Sequence, residues 1–188
     1  MLWRFGPLAL LTCLTVGCSN PPTKEHDQAE AALSAARAAD ASTYAADELQ
    51  GAQAALDKYD QAVQQRDYRQ ALSDAIDARD RGFEAARQAS AQRAAARTQF
   101  QTAIADVDTM IKAAQTRLAG GSGPRLGAVA TDRLRSATRA ATTALQEART
   151  RFDQQQYRDG LVRLQPIAEE LRKASAPLDS GRRGRGGR

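Results

Sequence analysis

Few side chains in this chain of 188 residues could carry out chemistry. Both cysteines, Cys13 and Cys18, lie within residues 1–20, so no disulfide or thiolate metal site is open to the rest of the chain. His26 is the only histidine, and its position near the start favours a surface role. The sequence therefore predicts no catalytic residue, no metal site and no cofactor.

Carboxylates are numerous, but arginines are interleaved with them. Asp74, Asp77 and Asp80, for example, alternate with Arg79 and Arg81. This spacing is typical of a solvated helix face whose ion pairs contribute about a few tenths of a kcal/mol each. A carboxylate metal site in a bundle would also need histidines three positions after inward-facing glutamates. The sequence contains no glycine-rich phosphate loop and no nucleophile elbow, so we expect no enzyme.

The formal charge of +5 is concentrated at the two ends of the chain. Without the end arginines the body is neutral, which argues against a nucleic-acid-binding stripe. We therefore expect no nucleic-acid partner, although a misread leader would leave that alternative open. The end arginines are Arg4, Arg182, Arg183, Arg185 and Arg188.

Residues 1–20 have the pattern of an export signal. Arg4 supplies the positive charge, and residues 8–16 form an apolar run too short to span a bilayer, which takes about twenty residues. The run that ends Val16-Gly17-Cys18 resembles the lipobox of bacterial lipoproteins, although Thr15 departs from the usual leucine. An ordinary secretory signal and an uncleaved anchor are the alternatives.

The lipobox resemblance implies that Cys18 is acylated and that the signal is cleaved in front of it. Ser19, in place of aspartate, implies sorting to the outer membrane. The polar, proline-containing residues 19–23 that follow are typical of a tether. The resemblance therefore implies a protein held by lipid on the periplasmic face of the outer membrane.

The segment from Tyr68 to Leu118 predicts one long helix that organises the fold. It has no proline and one glycine, and at 1.5 Å per residue it would measure about 75 Å. Its apolar residues recur with the spacing of a helix that packs lengthwise on others. The predicted buried stripe comprises Tyr68, Leu72, Ile76, Phe83, Ala86, Phe100, Ile104, Val107, Ile111, Ala114 and Leu118.

Four shorter helices are predicted around the long one, two on each side, giving an all-α fold of elongated antiparallel helical hairpins. Pro166 predicts a kink or restart in the last helix. Aligning Tyr68 with Tyr157 matches Leu72 with Leu161, which suggests an internal duplication, unless all hairpins rich in alanine, glutamine and arginine look alike. The predicted divisions are a signal peptide (1–17), a tether (18–26), an N-terminal helical domain with the long helix (27–118), a Gly/Pro loop (119–130), a C-terminal hairpin packed on the long helix (131–175) and a disordered basic tail (176–188).

Three runs in the first half, residues 38–41, 44–49 and 66–72, resemble the alanine-rich bacterial lipoprotein domain known as domain of unknown function 4398. The resemblance covers roughly residues 27–95, and Ala46 replaces that family's proline. It implies a helical envelope protein and no reaction.

Together these patterns predict a lipid-anchored helical protein with a structural or partner-binding role. The membrane and an unidentified envelope protein are the expected partners. In an alternative, weak anion binding by Arg182, Arg183, Arg185 and Arg188 would tether the protein to peptidoglycan or anionic lipid.

Overall fold

The computed structural model describes residues 20–120 and 128–183, with side chains described up to residue 176. Every regular element in these ranges is a helix, which confirms the all-α prediction. The helices are α1 (Thr23–Ala38), α2 (Ala41–Tyr44), α3 (Ala46–Gln64), α4 (Tyr68–Ala119), α5 (Ala128–Asp153) and α6 (Tyr157–Arg183).

The described helices belong to two compact units, and α4 contributes to both. The first unit contains α1, α3 and α4 up to Ala86, whereas the second contains residues 39–45, α4 from Arg87 onward, α5 and α6. This division differs from the predicted one, which assigned the whole long helix to the N-terminal domain. Each unit has three long helical segments, because α4 supplies the last segment of one and the first of the other.

The core of the first unit is built mainly from alanines. α1 packs on α3, where the His26 ring lies 4.6 Å from the Tyr59 ring. α1 also lies close to α4, since a Cβ added at Gly82 would fall 2.8 Å from the Ala32 Cβ. The buried cluster comprises Ala29, Ala55, Leu56, Tyr59, Ala62, Ala71, Ala75 and Ala78.

The first half of α4 buries a different face from the predicted one. Leu72, Ile76 and Phe83 are 39%, 37% and 54% exposed, and the alanines of the preceding paragraph are buried instead. Small side chains allow helix axes to approach closely, so contact over many backbone atoms replaces the burial of a few large groups. The prediction for this stretch of the stripe was wrong.

The core of the second unit follows the predicted heptad stripe. Phe100, Val107, Ile111 and Ala114 are buried, and Ile104 and Leu118 are half-buried. These α4 residues pack against buried residues of α5 and α6, namely Leu134, Ala141, Leu145, Ala148, Tyr157, Leu164, Ala168, Leu171 and Ala174.

The turn after α3 and the turn after α5 have the same hydrogen-bonding pattern. The Arg66 N–H donates to the Val63 carbonyl, and the next N–H donates to the Ala62 carbonyl. In the second turn Gln155 and its successor repeat both bonds, to Phe152 and Arg151. Arg66 and Gln155 have φ values of 60° and 62°, the left-handed conformation that ends a helix in a Schellman motif. The hairpins are therefore a structural repeat, and their common ancestry stays a prediction.

Two predicted boundaries in the C-terminal half are corrected. α5 begins at Ala128, inside the predicted loop, and α6 continues across Pro166 to Arg183. The segment 176–183, predicted to be disordered, is therefore helical. Proline removes one hydrogen bond from the ladder, and here the neighbouring residues hold the helix together across it.

Candidate functional site

The residues that the sequence singled out as sites fall largely outside the described part of the structure. Cys18, Ser19, Arg185 and Arg188 are not in the described ranges. Residues 182 and 183 end helix α6, so their backbone is helical and not the extended, glycine-spaced segment that was expected.

The described residues include a basic surface groove in the second unit. It has a volume of about 660 Å³ and lies between α4 and the turn that joins α5 to α6. Arg93 and Arg97 are its charged groups, and its lining contains no acidic residue. The remaining lining residues are Ala39, Ser90, Ala94, Thr98, Gln101, Gln155 and Tyr157.

The sequence of α4 explains why this groove is basic. Between Glu84 and Asp106 the helix carries arginines and no acid. Arg93 and Arg97 are four positions apart, so they lie one turn apart on the same face. An Arg93 Nη donates a hydrogen bond to the Gln155 side chain, and the Arg97 guanidinium lies 5.9 Å from the Phe152 ring centre. The groove therefore presents forked donors of the kind that bind carboxylates and phosphates.

Short helix α2 lies beside the same turn. Asp40, with φ 64°, precedes α2, and its carboxylate accepts a hydrogen bond from the Thr43 hydroxyl at 3.0 Å. The Arg158 guanidinium donates to the Thr43 carbonyl at 2.6 Å. Burial raises the pKa of the Tyr44 hydroxyl, and the nearby Asp40 carboxylate adds to this effect, whereas the Arg158 backbone N–H opposes it. These contacts hold residues 39–45 in the second unit.

A larger groove, of about 730 Å³, lies between α5 and α6. Its lining is mostly apolar and includes Val162, which is 63% exposed. Glu147, Arg151 and Arg163 line it as well, so its charges have both signs. Unlike the basic groove lined by Arg93 and Arg97, this groove does not carry charges of a single sign.

The start of α1 brings three groups together that could coordinate a metal ion, a cluster the sequence analysis did not predict. The His26 Nδ1 lies 3.7 Å from the Asp27 carboxylate and its Nε2 lies 3.9 Å from the Glu30 carboxylate. Both carboxylates are exposed, and the imidazole packs on Tyr59. Packing therefore accounts for the position of His26.

Tyr68 and Tyr157 begin the second helix of each hairpin. Tyr157 is 7% exposed, and its ring lies 5.3 Å from that of Phe152. Tyr68 is half-buried. The contacts of Tyr157 are those of a packing residue beneath a turn.

Sequence reasoning missed the Arg93 groove, although the acid-free run in α4 was a usable signal. Within the described ranges, none of the helices has the length and apolar character needed to cross a bilayer. Comparison of the chain with protein-family models, curated proteins and solved structures finds no match.

Proposed function

We propose that this chain is an outer-membrane lipoprotein whose periplasmic helical units bind another component of the envelope. The observation that carries the proposal is the apolar run that ends Gly17-Cys18, followed at once by a polar segment. The described fold supports it, because α1 begins at Thr23 directly after Pro21 and Pro22, which puts the first helix only a few residues after Cys18.

The short connection sets how far the first unit could lie from a lipid on Cys18. Residues 18–22 reach at most about 18 Å when fully extended, at about 3.6 Å per residue. Acyl chains contribute about 0.8 kcal/mol per buried methylene, so two or more chains would anchor the protein stably. Under this proposal α1 begins close to the membrane surface.

Labelling with a clickable fatty acid tests the anchor. Cys18→Ala should abolish labelling and leave an unprocessed precursor, because the acylated thiol is missing. Cys13→Ala is the matched control, since this cysteine lies in the same leader and should label like the wild type. Equal labelling of the Cys18→Ala chain would refute the proposal. Ser19→Asp should move the labelled protein to the inner membrane if the sorting resemblance applies.

A second candidate function is tethering to an anionic envelope component, namely peptidoglycan carboxylates or anionic lipid. The groove at Arg93 and Arg97 favours it, because two guanidinium groups line this groove without an acid. The terminal arginines would add to such binding.

Co-sedimentation with purified peptidoglycan and with anionic vesicles tests this second candidate. Replacing Arg93 and Arg97 with glutamine should weaken binding at low salt, and high salt should weaken the wild type similarly, since exposed charges are screened over about 8 Å at physiological ionic strength. Arg133 and Arg139, exposed on α5, provide the matched double replacement. A chain without residues 182–188 measures the contribution of the tail. If all four proteins sediment alike, neither basic region tethers the chain.

A further inference from the structure

The basic groove is long enough to hold an extended segment of chain. Its α4 wall runs from Ser90 to Gln101, which is about 16 Å at 1.5 Å per residue. Gln155, Tyr157 and Ala39 line the groove as well. An extended peptide rises about 3.3 Å per residue, so about five residues lying along α4 would fill this length.

The two arginines of the groove have the spacing of alternate residues in an extended peptide. Arg93 and Arg97 lie on the same face of α4, about 6 Å apart along the helix axis. In an extended chain every second side chain points to the same side, and two such residues lie about 6.6 Å apart. Two acids at alternate positions can therefore meet both guanidinium groups, whereas two adjacent acids point to opposite sides.

Both guanidinium groups are held in place by contacts that leave their charge in force. Half-buried Arg93 donates to the neutral Gln155 side chain, and the guanidinium of exposed Arg97 lies 5.9 Å from the Phe152 ring centre. No carboxylate lines the groove. Side chains that are already ordered lose less conformational freedom on binding, so these contacts favour the capture of an anion.

The positive charge is confined to these two arginines. An adjoining groove of about 370 Å³ shares Arg93 and Gln155 with the basic groove, and its other charged residues, Asp40, Arg158 and Asp159, have both signs. A broad anionic surface such as a bilayer would meet the two acids as well as the arginines. A short peptide that carries only two acids avoids this repulsion, so the charges favour a peptide over a membrane.

We propose that the basic groove binds an extended peptide segment with acidic residues at alternate positions, presented by another envelope protein. Arg93 and Arg97 each form a forked pair with one carboxylate. The exposed Gln101 amide offers a donor and an acceptor to the peptide backbone. The inference rests on the proposed function only in naming an envelope protein as the source of the peptide.

Titration calorimetry with the full-length chain in uncharged detergent micelles tests the site. The probes are two capped peptides of equal composition and charge, Gly-Asp-Ser-Asp-Gly and Gly-Asp-Asp-Ser-Gly. The alternating peptide should bind about fivefold more tightly, because it engages the second guanidinium as well, and an exposed ion pair contributes a factor of this order. Added salt should weaken its binding.

Single replacements of the two arginines locate the effect. Arg93→Gln and Arg97→Gln should each remove the preference for the alternating peptide, because one guanidinium group remains. Arg139→Gln, at an exposed position of α5, is the matched control and should keep the preference. Arginines of residues 182–188 are common to all these chains, so the ratio of the two affinities removes their contribution. Circular dichroism at 222 nm verifies that each variant is folded.

The outcomes separate this inference from the proposed function when the same chains carry the fatty-acid label. Labelled chains that bind the two peptides equally would overturn the peptide site and leave the anchor in place. Unlabelled chains that prefer the alternating peptide, and lose the preference with either arginine, would support the site and refute the anchor. A preference that survives both replacements, or binding of anionic vesicles without binding of either peptide, would overturn the site.

Discussion

Replacing Gly160 with alanine should destabilise the second unit, although alanine is the better helix former. Gly160 is buried in α6, and a Cβ added there would overlap the Cζ and Cε1 of Phe100 and lie 3.1 Å from its Cε2. Phe100 is fully buried, so its ring cannot move into solvent. The packing of α6 on α4 therefore depends on the absence of a side chain at Gly160.

Two opposing effects set the magnitude of this change. Alanine in place of glycine inside a helix contributes about 1 kcal/mol of stability, whereas overpacking a core costs about 1–3 kcal/mol. We expect a net loss of up to about 2 kcal/mol. For a protein of this size each kcal/mol lowers the melting temperature by about 2–4 °C.

Gly51→Ala is the matched control for the Gly160 replacement. Gly51 lies inside α3, and its added Cβ would be 3.3 Å from the Arg81 Nη1, the far end of a flexible side chain that can shift. This variant should match or exceed the wild type in stability. Thermal unfolding followed by circular dichroism at 222 nm measures both variants. A Gly160→Ala protein as stable as the Gly51→Ala protein would refute the reasoning.

The remaining predictions concern the first unit and two titrating groups. Ala75→Leu should cost about 1–3 kcal/mol by overpacking a buried site, whereas Leu72→Ala, at an exposed site, should cost less than about 1 kcal/mol. Urea unfolding compares the stability of the two variants. A larger loss for Leu72→Ala than for Ala75→Leu would support the stripe that the sequence predicts. A hydrogen bond from Lys112 is the main cause that lowers the pKa of Asp108 below its ordinary value. Stability should therefore fall as pH drops below about 4, and Asp108→Asn should make that fall smaller. Burial raises the pKa of Tyr44, so stability should fall as pH rises above about 10, and Tyr44→Phe should retain more of it. Melting temperatures measured across pH check both pH predictions. An Asp108→Asn or Tyr44→Phe protein with the same pH profile as the wild type would contradict the corresponding prediction.

The helices themselves could be predicted from sequence because their signals are local. Tyr68 and Tyr157 each begin a helix as expected, and the long helix ends within one residue of the predicted Leu118. Glycine and proline near residues 120–124 and the acidic first turn of α3 are read without any tertiary contact. The α6 boundary was missed because a low-complexity tail resembles a disordered one even where the helix continues.

The candidate site could be predicted much less well. The groove at Arg93 and Arg97 requires residues 39–45, α4 and the α5–α6 turn to meet, and no local pattern brings them together. Gln155 shapes the turn through its left-handed backbone conformation, and glutamine is not a residue type that predicts this conformation. A site made of distant segments depends on the fold.

The sequence alone determined the helical class and the buried face of the second unit, where Val107 and Ile111 lie in one unambiguous heptad stripe. Only the tertiary structure decided which face of α4 is buried in the first unit. There the stripe of Leu72 and the alanine stripe of Ala75 run side by side, and helical periodicity accommodates both. The choice depends on whether large side chains or close backbone approach gives the better packing, and that is fixed by the neighbouring helices, above all by α1 at Gly82.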